Sequence, residues 1–226
     1  MALSAKVFRI KRYLPLDIIA DKIRNYKKLE EVEGVEITQS FDDIRIVGDI
    51  LKAYFVFDEP RVMNIKGEMQ RLAVRREALV AFKEEFGDIL LIVFEKKFRA
   101  NRIANIISEV LFAKTGEVVE ANISHEILKS LHESNPESTK VIYFDNVDIP
   151  NVNKLALYGS ALADTSLYNM YLEHGKIWYV VFHHQETGYI VGLTRTLIIA
   201  MFSKITLDEF LDYIVKHVTP LLYASS

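Results

Sequence analysis

Two short stretches of the 226-residue chain are rich in basic side chains, and the spacing of six of these is the first thing that carries chemistry. In "MQRLAVRR", strand alternation puts Arg71 and Arg75 on one face with Ala73 between them. In "KKFRANR", Lys96, Lys97, Arg99 and Arg102 gather around the start of an amphipathic helix. Converging cations of this kind neutralise phosphates or meet an acidic protein surface. Cations at a helix start also oppose its dipole unless an anion sits there. The opposing reading is a solvated face balanced by Glu68, Glu77, Glu84, Glu85 and Glu95. No aromatic interleaving of the single-strand-binding type is read into these stretches.

The remaining chemistry is thinner. His183, His184 and Glu186 lie together in "HHQET". Neighbouring residues on a strand point to opposite faces, so both histidines cannot ligate one ion without distortion. His183 with Glu186 would need a third ligand from elsewhere. His217, on an otherwise apolar helix, reads as a partly buried histidine near a helix C-terminus. No metal site and no cofactor are therefore expected. Carboxylates cluster as Asp42-Asp43, Asp58-Glu59 and Asp145 to Asp148. Acid–base catalysis needs two such groups facing one cleft, and beside Pro60 and Pro150 they read as turn chemistry. The chain lacks a P-loop, a G-x-G-x-x-G, a G-x-S-x-G and an H-E-x-x-H, so no catalytic signature is present. With no cysteine there is no disulfide, thiolate nucleophile or cysteine zinc site.

The composition is that of a folded soluble protein, half apolar and about a quarter charged. Net charge is −3, which gives no global attraction to nucleic acid or to an anionic membrane. The distribution is uneven: residues 1–113 hold 20 Lys and Arg against 18 Asp and Glu, so the acidic excess falls in 114–226. The most apolar window, Tyr189 to Phe202, is interrupted by Arg195 and too short to span a bilayer. No signal peptide is read at "MALSAKVFRIKRY", and the expected location is cytoplasmic. Scarce Gln and absent Cys hint at a thermophile.

The elements that position these residues follow one order twice. Leu90 to Leu111 aligns without a gap on Leu197 to Val218, apolar against apolar at 12 of 22 positions but identical at four. Each copy is a short apolar strand followed by a helix. The first helix has Ile103, Ile106, Ile107, Val110 and Leu111 on one face; the second has Leu207, Phe210, Leu211, Ile214 and Val218. Thr206 and Ser124 are expected N-caps, and Pro15 is expected to open a helix. Between these ends both halves are strand-rich, with a turn expected at Phe41 to Asp43, a strand at "LYNMYL" and a bulge at Gly192. The fold class is α+β: two similar halves, 1–113 and 114–226, joined at "AKTGE", each strand, helix, antiparallel strands, helix, with helices on one face.

This order resembles that of the TATA-box-binding protein, and more loosely that of helix-grip ligand-binding folds. The resemblance implies a sheet whose uncovered face meets a sister half, a second subunit, a ligand or a nucleic acid. Fold likeness does not assign function. The chain is expected to be a non-catalytic binding module that meets a nucleic acid or a protein through an open sheet face or its basic N-terminal half. The alternatives are a small-molecule binder or enzyme with a cavity between sheet and helix, lined by the second half's aromatics Tyr158, Tyr168, Tyr171, Trp178, Tyr179 and Phe182, and a homo-oligomer subunit that pairs sheet edges.

Overall fold

The computed structural model describes residues 2–134, 136–159, 162 and 165–224. It is an α+β fold, with twelve strands and five α-helices among these residues. Contacts divide the chain into two compact units, Val7–Val119 and Met1–Lys6 with Glu120–Ser226. No described helix is long and apolar enough to cross a membrane.

The first unit takes the end of β1 (Leu3–Ile10), then α1 (Leu16–Arg24), β2 (Lys27–Val32), β3 (Val35–Val47), β4 (Ile50–Ile65), β5 (Glu68–Glu85), β6 (Asp88–Val93) and α2 (Lys97–Phe112). The strands β2 to β6 pair in chain order, each antiparallel to the next. Three of these hairpins close through two-residue turns, Glu33-Gly34, Lys66-Gly67 and Phe86-Gly87, with positive φ at both positions. That geometry matches the right-handed strand twist, and glycine at the second position adopts it without a Cβ clash. "LDIIADKIR" forms α1 because Leu16, Ile19, Ala20 and Ile23 recur at helical spacing, and all four are buried. Together with Ala100, Ile103, Ala104, Ile107 and Leu111 of α2 they cover Leu51, Phe55, Phe57, Val80 and Phe82 of the sheet.

Three local expectations change. Residues 42–45 hold a register shift inside β3 rather than a turn, with Asp43 at φ 51°. Lys27–Val32 forms an additional edge strand. "MQRLAVRR" is the outer part of a longer strand, β5, which is 18 residues long. The opposite sheet face is not bare either: Val56, Leu79, Ala81, Leu90 and Ile92 are buried.

The second unit contains the start of β1 and the last residue of β7 (Val118–Glu120), then α3 (His125–Glu133), β8 (Thr139–Asp145), β9 (Leu155–Tyr158), α4 (Ser166–His174), β10 (Lys176–His183), β11 (Ile190–Thr194), β12 (Ile198–Met201) and α5 (Leu207–Tyr213). Leu3 to Lys6 pair with β12, and β12, β11, β10, β8 and β9 follow in ladder order. A five-residue π turn, Ile214–Val218, continues α5 and precedes a short 3₁₀ turn that contains Pro220. The caps are where the side chains dictate. Ser124 Oγ accepts from the Ile127 N–H, and Thr206 with Glu209 makes a full capping box.

"LYNMYL" is helical, as part of α4, although its aromatics favour strands. The Thr165 hydroxyl caps that helix and Tyr168 is its buried anchor, so tertiary packing overrides propensity. Gly192 is not a bulge, because β10 and β11 pair without a shift. The Tyr179 ring lies within 3 Å of where a Cβ would stand, and glycine leaves it that room.

Candidate functional site

The outer part of the β4–β5 hairpin holds the first pair of sequence-nominated cations. The ladder between β3 and β4 stops at Gln39–Phe57, where Asp58 takes the Thr38 N–H on its own carboxylate at 2.9 Å. The ladder between β5 and β6 begins only at Val80–Val93. From Pro60–Ala73 to Ile65–Glu68 the two strands pair with each other. About six residues per strand make a ribbon roughly 20 Å long.

The burial of β5 changes abruptly along its length. Ala78 to Lys83 are six consecutive buried residues, whereas Glu68 to Ala73 are six consecutive exposed ones. Between Pro60 and Arg76 the ribbon carries Arg61, Lys66, Arg71, Arg75 and Arg76 against one acid, Glu68, a net charge of +4. Apolar side chains stand among them: Met69 is 69% exposed and Val62 52%, with Met63 and Leu72 also open.

Register sorts these groups by face. Arg71 stands opposite Val62 and Arg75 opposite Asp58, on one face; Arg76 stands opposite Phe57 and Arg61 opposite Leu72, on the helix-covered face. At the ribbon's root Glu59 gathers three guanidinium groups: Arg61 at 3.1 Å, Arg99 at 3.1 Å and Arg76 at 3.6 Å. Burial pushes the Glu59 carboxyl up, but the hydrogen bond from Arg61 and the charge of Arg99 outweigh it and hold it below the usual range. Arg99 also meets Glu95, just before α2, at 3.3 Å. Glu59 thus links the start of α2 to the root of the ribbon.

The six nominated cations therefore fall into two groups. Arg71 and Arg75 share the outer ribbon face, where Arg71 reaches Glu33 at 3.1 Å and Arg75 lies 3.8 Å from Asp42. Arg99 and Arg102 line one crevice with Gln39, Phe55, Phe57 and Ile103. Lys96 is the N-cap residue of α2 without a side-chain cap bond, Lys97 is its first residue, and both are exposed. The sequence reading missed Arg61 and Arg76, which complete the set around Glu59. It also missed Phe98, 86% exposed between Lys97 and Arg99. That aromatic was legible in "KKFRANR"; its exposure was not.

The crevice between α2 and the sheet has a volume of about 10 Å³, the room of a single water at most. A crevice of that size leaves no room for a ligand at this position. The aromatics of the second unit are partly on the surface. Tyr143 stacks on Trp178 at 5.8 Å and on Tyr179 at 5.6 Å, and its hydroxyl bonds that of Tyr158, which is exposed. Lys154 sits over the Trp178 ring at 4.7 Å.

No protein-family model matches the chain, and no curated protein matches it.

Proposed function

We propose that the protein is a non-catalytic binding module whose partner is a duplex nucleic acid, met through the β4–β5 ribbon and the basic start of α2. The observation that carries this reading is the ribbon itself: paired strands with a net charge of +4, exposed over Arg61 to Asn64 and Glu68 to Ala73. A two-stranded ribbon fits the major groove of a duplex. Arg71 and Arg75 meet carboxylates that are more than half exposed, and such pairs contribute little. Phosphates can replace them at small cost, with counterion release adding to the gain. Arg99 and Arg102 extend the basic surface from the ribbon's root along α2.

The likeness in element order between residues 1–113 and 114–226, and its resemblance to the TATA-box-binding protein, belong to this proposal. Strand–helix at the start and strand–helix at the end of each stretch support it, and α4 is an addition to the second.

The test is fluorescence anisotropy with a 20-base-pair duplex between 50 and 200 mM salt. Binding should weaken steeply with salt. The variant Arg71→Ala/Arg75→Ala should lower the magnitude of the logarithmic salt slope by about 0.9 for each phosphate contact removed. Salt-insensitive binding, or a variant that matches the wild type, overturns the reading.

A protein partner is the second reading, favoured by Val62, Met63, Met69 and Leu72 standing open on the same ribbon. Met69→Glu would then abolish complex formation, whereas duplex binding would change only modestly.

A further inference from the structure

The β10–β11 hairpin ends in a tight, internally bonded loop. The His184 N–H donates to the Tyr189 carbonyl at 2.7 Å, and the His184 carbonyl accepts from the Gly188 N–H at 2.8 Å. Gly188, at φ 72°, makes that second closure easy. His184 Nδ1 also lies 3.0 Å from the Thr187 hydroxyl. With Nδ1 engaged there, Nε2 is the nitrogen left to ligate.

His217 approaches from the end of the fold. It lies in the π turn that follows α5, a widened turn that re-aims side chains and is frequent at functional sites. The His184 and His217 rings are 4.5 Å apart, centroid to centroid. The buried Tyr213 ring packs against both, at 5.2 and 5.1 Å. Glu186 reaches over from the loop, its Oε2 3.9 Å from His217 Nδ1. One donor atom from each of His184, Glu186 and His217 falls within 4.8 Å of the other two.

Two imidazoles and a carboxylate converging in this way are a donor set for a divalent transition ion. Ligand bonds of about 2.0–2.1 Å in tetrahedral geometry need donors roughly 3.4 Å apart. The three donors must close up from within 4.8 Å, and Glu186, with a side chain 77% exposed, is the exposed one among them. A cleft of about 270 Å³ adjoins the group, lined by Tyr189, Glu209, Asp212 and Lys216 besides Glu186 and His217. Glu209 and Asp212 add negative charge there, which Lys216 opposes in part.

We infer that His184, Glu186 and His217 bind a zinc-type divalent ion, His184 through Nε2, with an open coordination position toward this cleft. The Thr187 hydroxyl positions His184 through its other nitrogen. The ion ties the hairpin loop to the C-terminal turn.

The experiment titrates the full, untagged chain with Zn²⁺ by calorimetry and with Co²⁺ by visible absorption. The expected result is one ion per chain and a Co²⁺ d–d band. His184→Ala/His217→Ala should lose both. Glu186→Gln, at an exposed position that folding does not depend on, should weaken binding and alter the band. Thr187→Val should weaken binding by roughly 10- to 100-fold. His183→Ala, one residue away on the opposite strand face, should leave both unchanged. A wild-type chain that binds no ion, or a double histidine variant that binds as the wild type does, overturns the inference.

Discussion

The two hairpins β4–β5 and β10–β11 are built from similar β-rich sequence and do opposite things. The first outruns its neighbours, so its outer half pairs only with itself and stays exposed on both faces. The second is flanked along its length by β8 and β12, and its loop is fastened by two backbone hydrogen bonds. Lateral neighbours decide which side-chain chemistry each can hold. A ribbon with free flanks keeps Arg71 and Arg75 on adaptable surface pairs. A hairpin fixed on both sides against a buried Tyr213 holds its loop histidine in a set position beside His217.

The comparison can be tested from its strongest contrast downward. Phe55→Ala removes a buried ring from the root of the first hairpin and should cost about 3–5 kcal/mol in urea unfolding. Val62→Ala, on the same strand but out on the ribbon, should stay within about 0.5 kcal/mol. Equal costs would mean that the ribbon is packed and the contrast fails.

Gly192→Ala probes the second hairpin. Its new Cβ meets the Tyr179 ring, which is wedged against Tyr143 and Trp178. The expected loss is about 1–3 kcal/mol, read by thermal unfolding.

His132→Phe gives the smallest change and carries a pH signature. His132 is 1% exposed, packs edge-on to Tyr168 at 4.7 Å, and neither ring nitrogen has a hydrogen-bond partner among the described residues. Burial lowers its pKa from 6.5. The unfolded chain therefore takes up a proton that the folded chain resists. Stability is full above about pH 6.5 and falls as pH drops toward the lowered folded value. The variant should be neutral to about 1 kcal/mol more stable at pH 8. It should also show a flatter acid limb in unfolding midpoints between pH 8 and 5.

Local chemistry was legible in the chain. Periodic apolar residues marked α1, α2 and α5, and Ser124 and Thr206 marked their helix starts, because such signals act within one turn. The α+β class followed from the same short-range patterns. "LYNMYL" misled because six residues rich in aromatics do not distinguish a buried strand from a helix anchored by Tyr168. The site residues divide in the same way. Arg71 and Arg75 were placed on one face by alternation alone. The gathering of Arg61, Arg76 and Arg99 around Glu59 required α2 to return to the ribbon's root.

The histidines mark the limit most clearly. Alternation along "HH" correctly separated His183 from His184, and a third donor was recognised as necessary. Which histidine turned inward, and that His217 would meet it, depended on a π turn 33 residues later along the chain. Sequence alone determined each element's type and which side chains it presents, since backbone periodicity and capping are local. Tertiary structure decided which of those side chains meet, since that depends on the path of the chain between them.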